Sequence, residues 1–440
     1  MRHLVIALAA SLVFAEPSTS QELLWDNREP AGARSFAVDV DVQGQTVVAS
    51  GGSCDEDFKC ALFVRAFDRT SGRTLWQDEL LDFVGNRANE VSVDASRVFI
   101  AGWSERPEQR FVFIVRAYDL NTGTLLWYRE IDRSNFNIAK VLAVQDGRVY
   151  VAGHIRDTAR DNQDYAVLAF DAATGTQLWE HVSDYLNLGQ DDFAWSVAVA
   201  GDRVLVAGEV RGSSAMLMRA HNATDGVVAW EDEIPNARNF AEEHCLGEHG
   251  GLMFVCGSFP AGGFTDDLFV RAYDIKSGQV RWTDRVDDGG RLSVPKALTV
   301  SGGRLFVAAY LGCSPTTGAE CKLTVRAYDP GSGALLWKQI NQSPGNDWFV
   351  NTIIATANGV FVGGEQLNAA GSYEPTILSY DARSGTPIGG DKLDVGSAPI
   401  FTSFIGRLAI QGNHLIAAGG MWSGNAFGSD MLVRMYKIGP

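Results

Sequence analysis

The sequence lacks the short motifs that mark many catalytic and metal sites. None of its seven histidines lies in an HxxxH or HExxH pattern, and its six cysteines include no CxxC pair. GxSxG, the P-loop and a GxGxxG that opens a helix are also missing. The sequence therefore indicates no metal site and no catalytic residue by motif alone.

Long apolar runs and excess positive charge are missing as well. Beyond the N-terminus no stretch approaches transmembrane length, and the formal net charge is −16. So acidic a chain is a poor match for the phosphate backbone of nucleic acids. Only 13 prolines accompany 47 glycines, which indicates many tight turns. We expect a protein with no membrane span, no nucleic-acid partner and a monomeric state.

The N-terminus predicts export. A short basic start is followed by an apolar run from Leu4 to Phe14 and a small residue, Ala15. We predict a signal peptide at residues 1–15, cleaved after Ala15, and a periplasmic or secreted mature chain. No cysteine follows the apolar run, so we expect no lipid anchor at the mature N-terminus.

Six cysteines in an exported chain predict disulfides. Two pairs would close short loops, and the third would flank a turn at Gly250-Gly251, where opposed strand positions lie within disulfide reach. The predicted pairs are Cys54–Cys60, Cys245–Cys256 and Cys313–Cys321.

An internal repeat organises the chain. Residues 62–76 read LFVRAFDRTSGRTLW, and the same line returns five times with a terminal tryptophan. A weaker copy, ILSYDARSGTPIGG, has Gly389 at that place. Asp or Asn and glycine suit a tight turn after a strand, and tryptophan is large enough to fill the wedge between neighbouring sheets. The six tryptophans are Trp76, Trp127, Trp179, Trp230, Trp282 and Trp337.

A second hairpin precedes each copy, as at residues 140–153, 195–208 and 296–309. Two hairpins give four strands in about 51 residues, which is typical of a propeller blade. The last blade ends after its third strand, MLVRMYKIG, and residues 21–27 supply the missing strand. The fold class predicted is all-β: an eight-bladed β-propeller of four-stranded antiparallel blades, with residues 16–440 as one domain.

The line A-[YF]-D-x-x-[ST]-G-x-x-x-W resembles the repeat of the pyrroloquinoline-quinone-like (quinoprotein alcohol dehydrogenase-like) β-propellers. That family includes quinoprotein alcohol dehydrogenases and the propeller lipoprotein of the outer-membrane assembly machine. For the dehydrogenases, the resemblance implies pyrroloquinoline quinone (PQQ) with calcium. This chain departs from them because it has no adjacent cysteine pair and its blades are lean. It also lacks the lipid-modified cysteine of the assembly protein.

A binding site is predicted on one face of the disc. The connections between second and third strands, and between blades, are long and dissimilar, whereas the other turns are short and uniform. Aligned on their turns, the innermost strands begin with polar or aromatic residues that would surround the channel mouth and suit a polar planar ligand. These candidate residues are Asp39, Glu90, Lys140, Trp195, His244, Lys296, Asn351 and Arg407.

The arginine of the VRA line recurs in six blades, and we expect it to make an inter-blade contact with a carboxylate or an aromatic ring. The copies are Arg65, Arg116, Arg219, Arg271, Arg326 and Arg434.

Three functions remain open from the sequence. The first is a binding or scaffolding module that recognises a protein, peptide or glycan on the loop-rich face. The second is a PQQ-dependent oxidoreductase, or a degenerate relative, with calcium at the channel mouth. The third is a hydrolase or lyase that uses channel carboxylates such as Asp39 and Glu90.

Overall fold

The computed structural model consists of β-strands joined by turns and loops. The residues it describes are 21–29, 34–55, 57, 59–81, 85–157, 162–185, 189–237, 244–262, 265–287, 292–313, 321–341, 348–368, 370–395, 403–422 and 428–439. Within these ranges there are 32 strands, and no helix there is long and apolar enough to cross a membrane. The predicted signal peptide, residues 1–15, lies outside the described residues.

The strands are numbered in chain order. The first eight are β1 (Gln21–Glu29), β2 (Arg34–Gln43), β3 (Thr46–Cys54), β4 (Cys60–Asp68), β5 (Thr74–Leu80), β6 (Gly85–Val93), β7 (Arg97–Arg106) and β8 (Arg110–Asp119). The next eight are β9 (Leu125–Ile131), β10 (Asn137–Gln145), β11 (Arg148–Asp157), β12 (Asn162–Asp171), β13 (Gln177–Ser183), β14 (Asp192–Ala200), β15 (Arg203–Val210) and β16 (Ala215–Asn222). They are followed by β17 (Val228–Pro235), β18 (Leu246–His249), β19 (Leu252–Gly262), β20 (Thr265–Asp274), β21 (Val280–Val286), β22 (Leu292–Ser301), β23 (Arg304–Cys313) and β24 (Lys322–Tyr328). The last eight are β25 (Leu335–Asn341), β26 (Trp348–Ala355), β27 (Gly359–Leu367), β28 (Tyr373–Asp381), β29 (Pro387–Lys392), β30 (Phe404–Gln411), β31 (His414–Trp422) and β32 (Ser429–Ile438).

The described strands form four-stranded antiparallel units that fit the eight predicted blades. Blade 1 is β2–β5, and each following blade takes the next four strands, up to blade 7 (β26–β29) and blade 8 (β30–β32 with β1). One parallel bridge, between Cys60 and Gly85, joins the sheets of blades 1 and 2. The core lies between blades, where the apolar side chains of adjacent sheets pack face to face.

The N-terminal strand belongs to the last blade, as predicted. Strand β1 pairs antiparallel with β32 from Gln21 opposite Ile438 to Glu29 opposite Met431. Strand β2 of blade 1 in turn packs against β30, β31 and β32. The two chain ends therefore share one sheet, which covers an edge that would otherwise present unpaired backbone groups to solvent.

A belt of tryptophans near the outer edge joins neighbouring blades at every boundary except that between blades 7 and 8. Trp127 of blade 2 lies against the turn of blade 3, where its Nε1 donates to Ala172 O at 3.0 Å. Seven such bonds, of 2.7–3.1 Å, recur around the disc. The facing glycine, Gly175, has φ +66°, and a Cβ there would lie 2.6 Å from the Trp127 ring. Glycine is thus required by its positive φ and also by the close approach of the indole.

Five of the six recurrent arginines make the predicted inter-blade contact: four with a carboxylate, and Arg219 with the Tyr165 ring of the preceding blade. Arg65 instead contacts Glu79 and Phe63 of its own blade. Arg116 pairs with Asp78 of the preceding blade at 2.9 Å, and the Tyr118 hydroxyl donates to the same carboxylate. The Arg116 guanidinium also lies 5.3 Å from the Tyr118 ring centroid. The same arginine, tyrosine and aspartate groups meet at three more boundaries: Arg271, Tyr273 and Asp232; Arg326, Tyr328 and Asp284; and Arg434, Tyr436 and Asp391.

All six cysteines form disulfides in the predicted pairs. Cys54–Cys60 and Cys313–Cys321 each link a second strand to the third strand of the same blade. Cys245–Cys256 fastens the inner hairpin of blade 5. Two bridges therefore lie on the face with the long connections.

Candidate functional site

The two faces of the disc differ in their connections. The turns within the inner hairpins are short, as at Gly44-Gln45 and Asp146-Gly147, and the outer hairpins repeat one Asp-to-Gly turn. Connections on the opposite face range from the two residues between β19 and β20 to the eleven residues between β29 and β30. We call this second surface the loop-rich face. Because neighbouring strands alternate in direction, the connections that follow the second and the fourth strand of each blade emerge on this face.

The strand register corrects the predicted alignment of the channel residues. In seven blades the inner hairpin contains a one-residue bulge close to the loop-rich face. Four candidates are the bulged residue itself: Lys140, Trp195, Lys296 and Asn351. His244 stands at the same distance from its turn. The other three, Asp39, Glu90 and Arg407, lie one residue later, so the eight occupy two adjacent register positions. The bulge stands at the same distance from the turn in all seven blades, so the predicted alignment was one residue out in these three blades.

The three displaced residues meet in the channel. Arg407 Nε lies 3.1 Å from Asp39 Oδ1, and its Nη2 lies 3.5 Å from Glu90 Oε1. A third guanidinium nitrogen, Nη1, contacts His244 Nδ1. Arg407 of blade 8 therefore connects to blades 1, 2 and 5. Burial raises the pKa of Asp39, and Arg407 opposes that rise.

Asp39 also joins two inner strands. Its carboxylate accepts backbone N–H groups from Val40 at 2.9 Å and from Val91 of blade 2 at 2.7 Å. The side chain is almost fully buried. With Arg407 as its ion pair, the oxygens of Asp39 are occupied by contacts that hold blades together.

A cavity of about 220 Å³ occupies the channel beside this ion cluster. Its charged end is formed by Glu90, His244 and Arg407, and Thr299 and Thr352 also line it. The other lining residues include Leu142, Val197, Leu246, Leu298, Ile353 and Leu408. Most of the accessible lining surface nevertheless comes from polar atoms.

The channel carboxylates are a poor fit for the calcium that the PQQ resemblance implies. Calcium is held by six to eight oxygen ligands, several of them carboxylates. Here Asp39 and Glu90 share one guanidinium. No group of three or more His, Cys, Asp or Glu side chains among the described residues is arranged to hold a metal. The cation between these acids is supplied by Arg407 itself.

A second cluster lies at the mouth, where blades 3 and 4 meet. Lys140 Nζ lies 4.7 Å from the Trp195 ring centroid, and Trp195 stacks on Phe193 at 5.1 Å. His154 stands edge-on to Phe193 at 5.0 Å and stacks on Phe136 at 5.6 Å. We call Phe136, Lys140, His154, Phe193 and Trp195 the Lys140 cluster. Lys140 and Trp195 are half-buried, whereas His154 is only 2% exposed.

Burial is the main cause of the low pKa of His154, about 3, and the positive charges of Lys140 and Arg211 lower it further. The imidazole is therefore neutral near pH 7, with one N–H donor and one acceptor nitrogen. Both ring nitrogens of His154, and Nε1 of Trp195, are buried without a hydrogen-bond partner among the described residues.

In the corresponding part of blades 6 and 7, the polar side chain of Asn351 has hydrogen-bond partners. Asn351 Nδ2 donates to Glu365 Oε2 at 2.9 Å and to Ile405 O of blade 8 at 3.0 Å. Burial raises the pKa of Glu365 to about 8, against the effects of Asn351 and Lys296. Lys296 Nζ lies 5.8 Å from the ring of Tyr310.

The prediction from sequence missed a second set of mouth residues. His154, Tyr310 and Glu365 each lie six residues after the first residue of their second strand. A signal for this position is present, since each follows an apolar run ending in two small residues, as in RVYVAGH, RLFVAAY and GVFVGGE. The residue after those small residues varies from blade to blade, which marks the position as one that the repeat does not fix.

The repeat and the fold match known propellers. Residues 63–255 match the family described as "Outer membrane protein assembly factor BamB". No curated protein matched the sequence. Among solved structures, quinohemoprotein alcohol dehydrogenase ADHIIG from Pseudomonas putida HK5 aligns with a TM-score of 0.60 and 15% identity, over 96% of this chain and 76% of that one.

Two other structures align over nearly their whole length. A europium-containing methanol dehydrogenase gives a TM-score of 0.56 at 13% identity, covering 96% of this chain and 94% of that one. The Dos1 propeller gives 0.58 at 10% identity, covering 96% of both chains. Identities this low establish only a shared fold. The resemblance to the PQQ-like propellers is therefore confirmed in repeat and in fold.

Proposed function

We propose that this PQQ-like propeller is an exported, monomeric binding or scaffolding module, which recognises a protein, peptide or glycan through its loop-rich face. One observation carries the proposal: the long, dissimilar connections are all on that face, while the opposite face repeats the same short turns. A scaffold that varies one surface and keeps the other constant uses the variable surface for recognition. Two disulfides on the loop-rich face support this role, because they reduce the entropy lost when loops are ordered by a partner.

Site-specific photo-crosslinking in the producing cell tests the proposal. A crosslinking amino acid is placed at Glu108 or Ala370 on the loop-rich face, and at Lys276 or Arg383 on the opposite face; all four are exposed. We expect adducts with a discrete partner only from the first two positions. Adducts mainly from Lys276 and Arg383, or none from any position, would contradict the proposal.

A PQQ-dependent oxidoreductase is the second candidate, favoured by the cavity with its charged end next to the channel axis. The ion pairs of Arg407 weigh against it, since they occupy the acids that calcium needs. The same occupation disfavours Asp39 as a general base in a hydrolase or lyase. Adding PQQ and calcium to the purified protein separates the candidates, because a ligand that binds the folded state raises its melting temperature. We expect no rise; a saturable rise would support the oxidoreductase.

A further inference from the structure

Three side chains of the Lys140 cluster, those of Lys140, His154 and Trp195, have no hydrogen-bond or ion-pair partner among the described residues. Trp195 Nε1 and the nitrogens of His154 make no hydrogen bond there. Lys140 has no ion pair in that part of the chain, and its recorded contact is the face of Trp195. A buried polar group left unpaired destabilises the fold, so unpaired groups that lie together call for a common explanation.

Three of the four unpaired groups share one chemistry, and the fourth, the second nitrogen of neutral His154, is an acceptor. The Lys140 ammonium, the Trp195 indole N–H and the imidazole N–H of neutral His154 are hydrogen-bond donors. A carboxylate has only acceptors, and its bonds to an ammonium or an N–H are charge-assisted. A cationic ligand is excluded by Lys140 and by Arg211, whose guanidinium lies 4.7 Å from the Phe193 ring.

The aromatic rings hold these donors in place. Trp195 is stacked between Lys140 on one side and Phe193 on the other. Phe193 and Phe136 enclose His154, which fixes the imidazole in an apolar surrounding. Such a surrounding strengthens each hydrogen bond to a ligand charge, because water does not screen it.

We propose that the Lys140 cluster binds a carboxylate group that a ligand presents at the loop-rich face. The proposal rests on the recognition role of that face and names the chemistry it selects. The carboxylate would bridge Lys140 and Trp195, with His154 as a further donor. The source of the group is a free organic acid or an acidic side chain of a peptide.

Calorimetric titration of the purified chain distinguishes the two sources. The probes are succinate, the blocked tripeptide acetyl-Gly-Asp-Gly-amide and its neutral counterpart acetyl-Gly-Asn-Gly-amide, all at one ionic strength. We expect saturable binding of the aspartyl peptide and none of the asparaginyl peptide. Binding of succinate with equal affinity identifies a free acid as a sufficient ligand, and its absence identifies the peptide.

Four variants locate the site. Lys140→Met keeps chain length without charge and is expected to weaken binding roughly tenfold or more. Trp195→Phe and His154→Phe keep the rings without the N–H donors and are expected to weaken it by smaller factors. Lys338→Met, which changes an exposed lysine on strand β25 of blade 6, is the control, and its affinity is expected to equal that of the unaltered chain.

The outcomes that overturn the proposal are distinct. Lack of binding of both carboxylate probes, or equal binding by Lys140→Met, removes the site. If His154→Phe instead lowers the melting temperature as much as a core substitution, the cluster serves packing alone. These measurements use only purified protein, so a failed crosslinking experiment with intact binding refutes the recognition role and leaves the carboxylate site standing.

Discussion

The rim and the channel mouth of this propeller use their polar groups in opposite ways. At the rim, every repeat tryptophan donates its indole N–H to the next blade, and four arginines share an aspartate with a tyrosine. At the mouth, Trp195 has no such acceptor among the described residues. The rim indole N–H groups are bonded in all seven copies and indicate structure, whereas several unpaired polar groups that lie together at the mouth indicate a site.

One blade boundary departs from the rim pattern for a physical reason. Blade 7 has Gly389 where the other copies have tryptophan. The outer strand of blade 8 is β1, which no Asp-to-Gly hairpin joins to β32, so the described residues of blade 8 offer no such turn to an indole of blade 7. Gln21 of β1 instead donates to Ser379 of blade 7. The lack of a tryptophan in blade 7 thus matches the lack of this turn in the described part of blade 8.

Removal of the N-terminal strand is expected to have the largest effect on the rim. Deleting residues 16–30 exposes the edge of β32 and removes Asp26, which pairs with Arg434 at 3.0 Å. We expect a loss comparable to the whole stability of a domain, about 5–15 kcal/mol. Urea unfolding measures it, with deletion of residues 16–20 as the control. A truncated chain as stable as that control would refute the closing role of β1.

Two tryptophans separate rim from mouth most directly. Trp127→Ala leaves a cavity between blades 2 and 3 and removes the bond to Ala172, so we expect a loss of about 3–5 kcal/mol. Trp195 lies at the mouth, and we expect the Trp195→Ala variant to lose only about 1 kcal/mol of stability. Ligand binding there should weaken by about 1–3 kcal/mol. Equal destabilisation by both changes would make Trp195 a core residue.

A pair of glycines in blade 3 sharpens the account of the rim. Gly175→Ala brings a Cβ to 2.6 Å from the Trp127 ring, whereas Gly147 has φ +73° and nothing within 4 Å of its Cβ position. Both changes carry the strain of a positive φ, about 1 kcal/mol. We expect Gly175→Ala to cost about 1–3 kcal/mol more, through overpacking. Equal melting temperatures would show that the indole contact does not constrain the glycine.

The last effect expected, which is absent near neutral pH, is the pH dependence of His154. Its pKa is about 3 in the folded chain and 6.5 when exposed. Between these values the unfolded chain binds more protons, so this histidine lowers stability as pH falls from about 6.5 to 3. We expect His154→Phe to gain in melting temperature over the unaltered chain across that range and to differ little above it. A constant difference at all pH values would show that His154 titrates normally.

The sequence alone determined the repeat and therefore the fold. In a typical copy the Asp forms the turn, the Gly adopts the positive φ and the Trp fills the wedge between blades. Each copy therefore predicts its own hairpin without reference to the rest of the chain. The same reasoning located β1 in the last blade, because that blade has only three consecutive strands and residues 21–27 form a strand that precedes the first blade. It also paired the cysteines, because each pair closes a short span.

Tertiary structure decided what meets at the channel. Arg407 lies 368 residues from Asp39 in the chain, and no periodicity connects them. The predicted alignment gave Lys140 and Arg407 one register position, but Lys140 is the bulged residue of its strand and Arg407 is the residue after the bulge. The pairing of Asn351 with Glu365, and the isolation of His154, depend on which residues neighbouring blades contribute. Repeated contacts can be inferred from a repeat, but contacts that occur once arise from packing between distant blades.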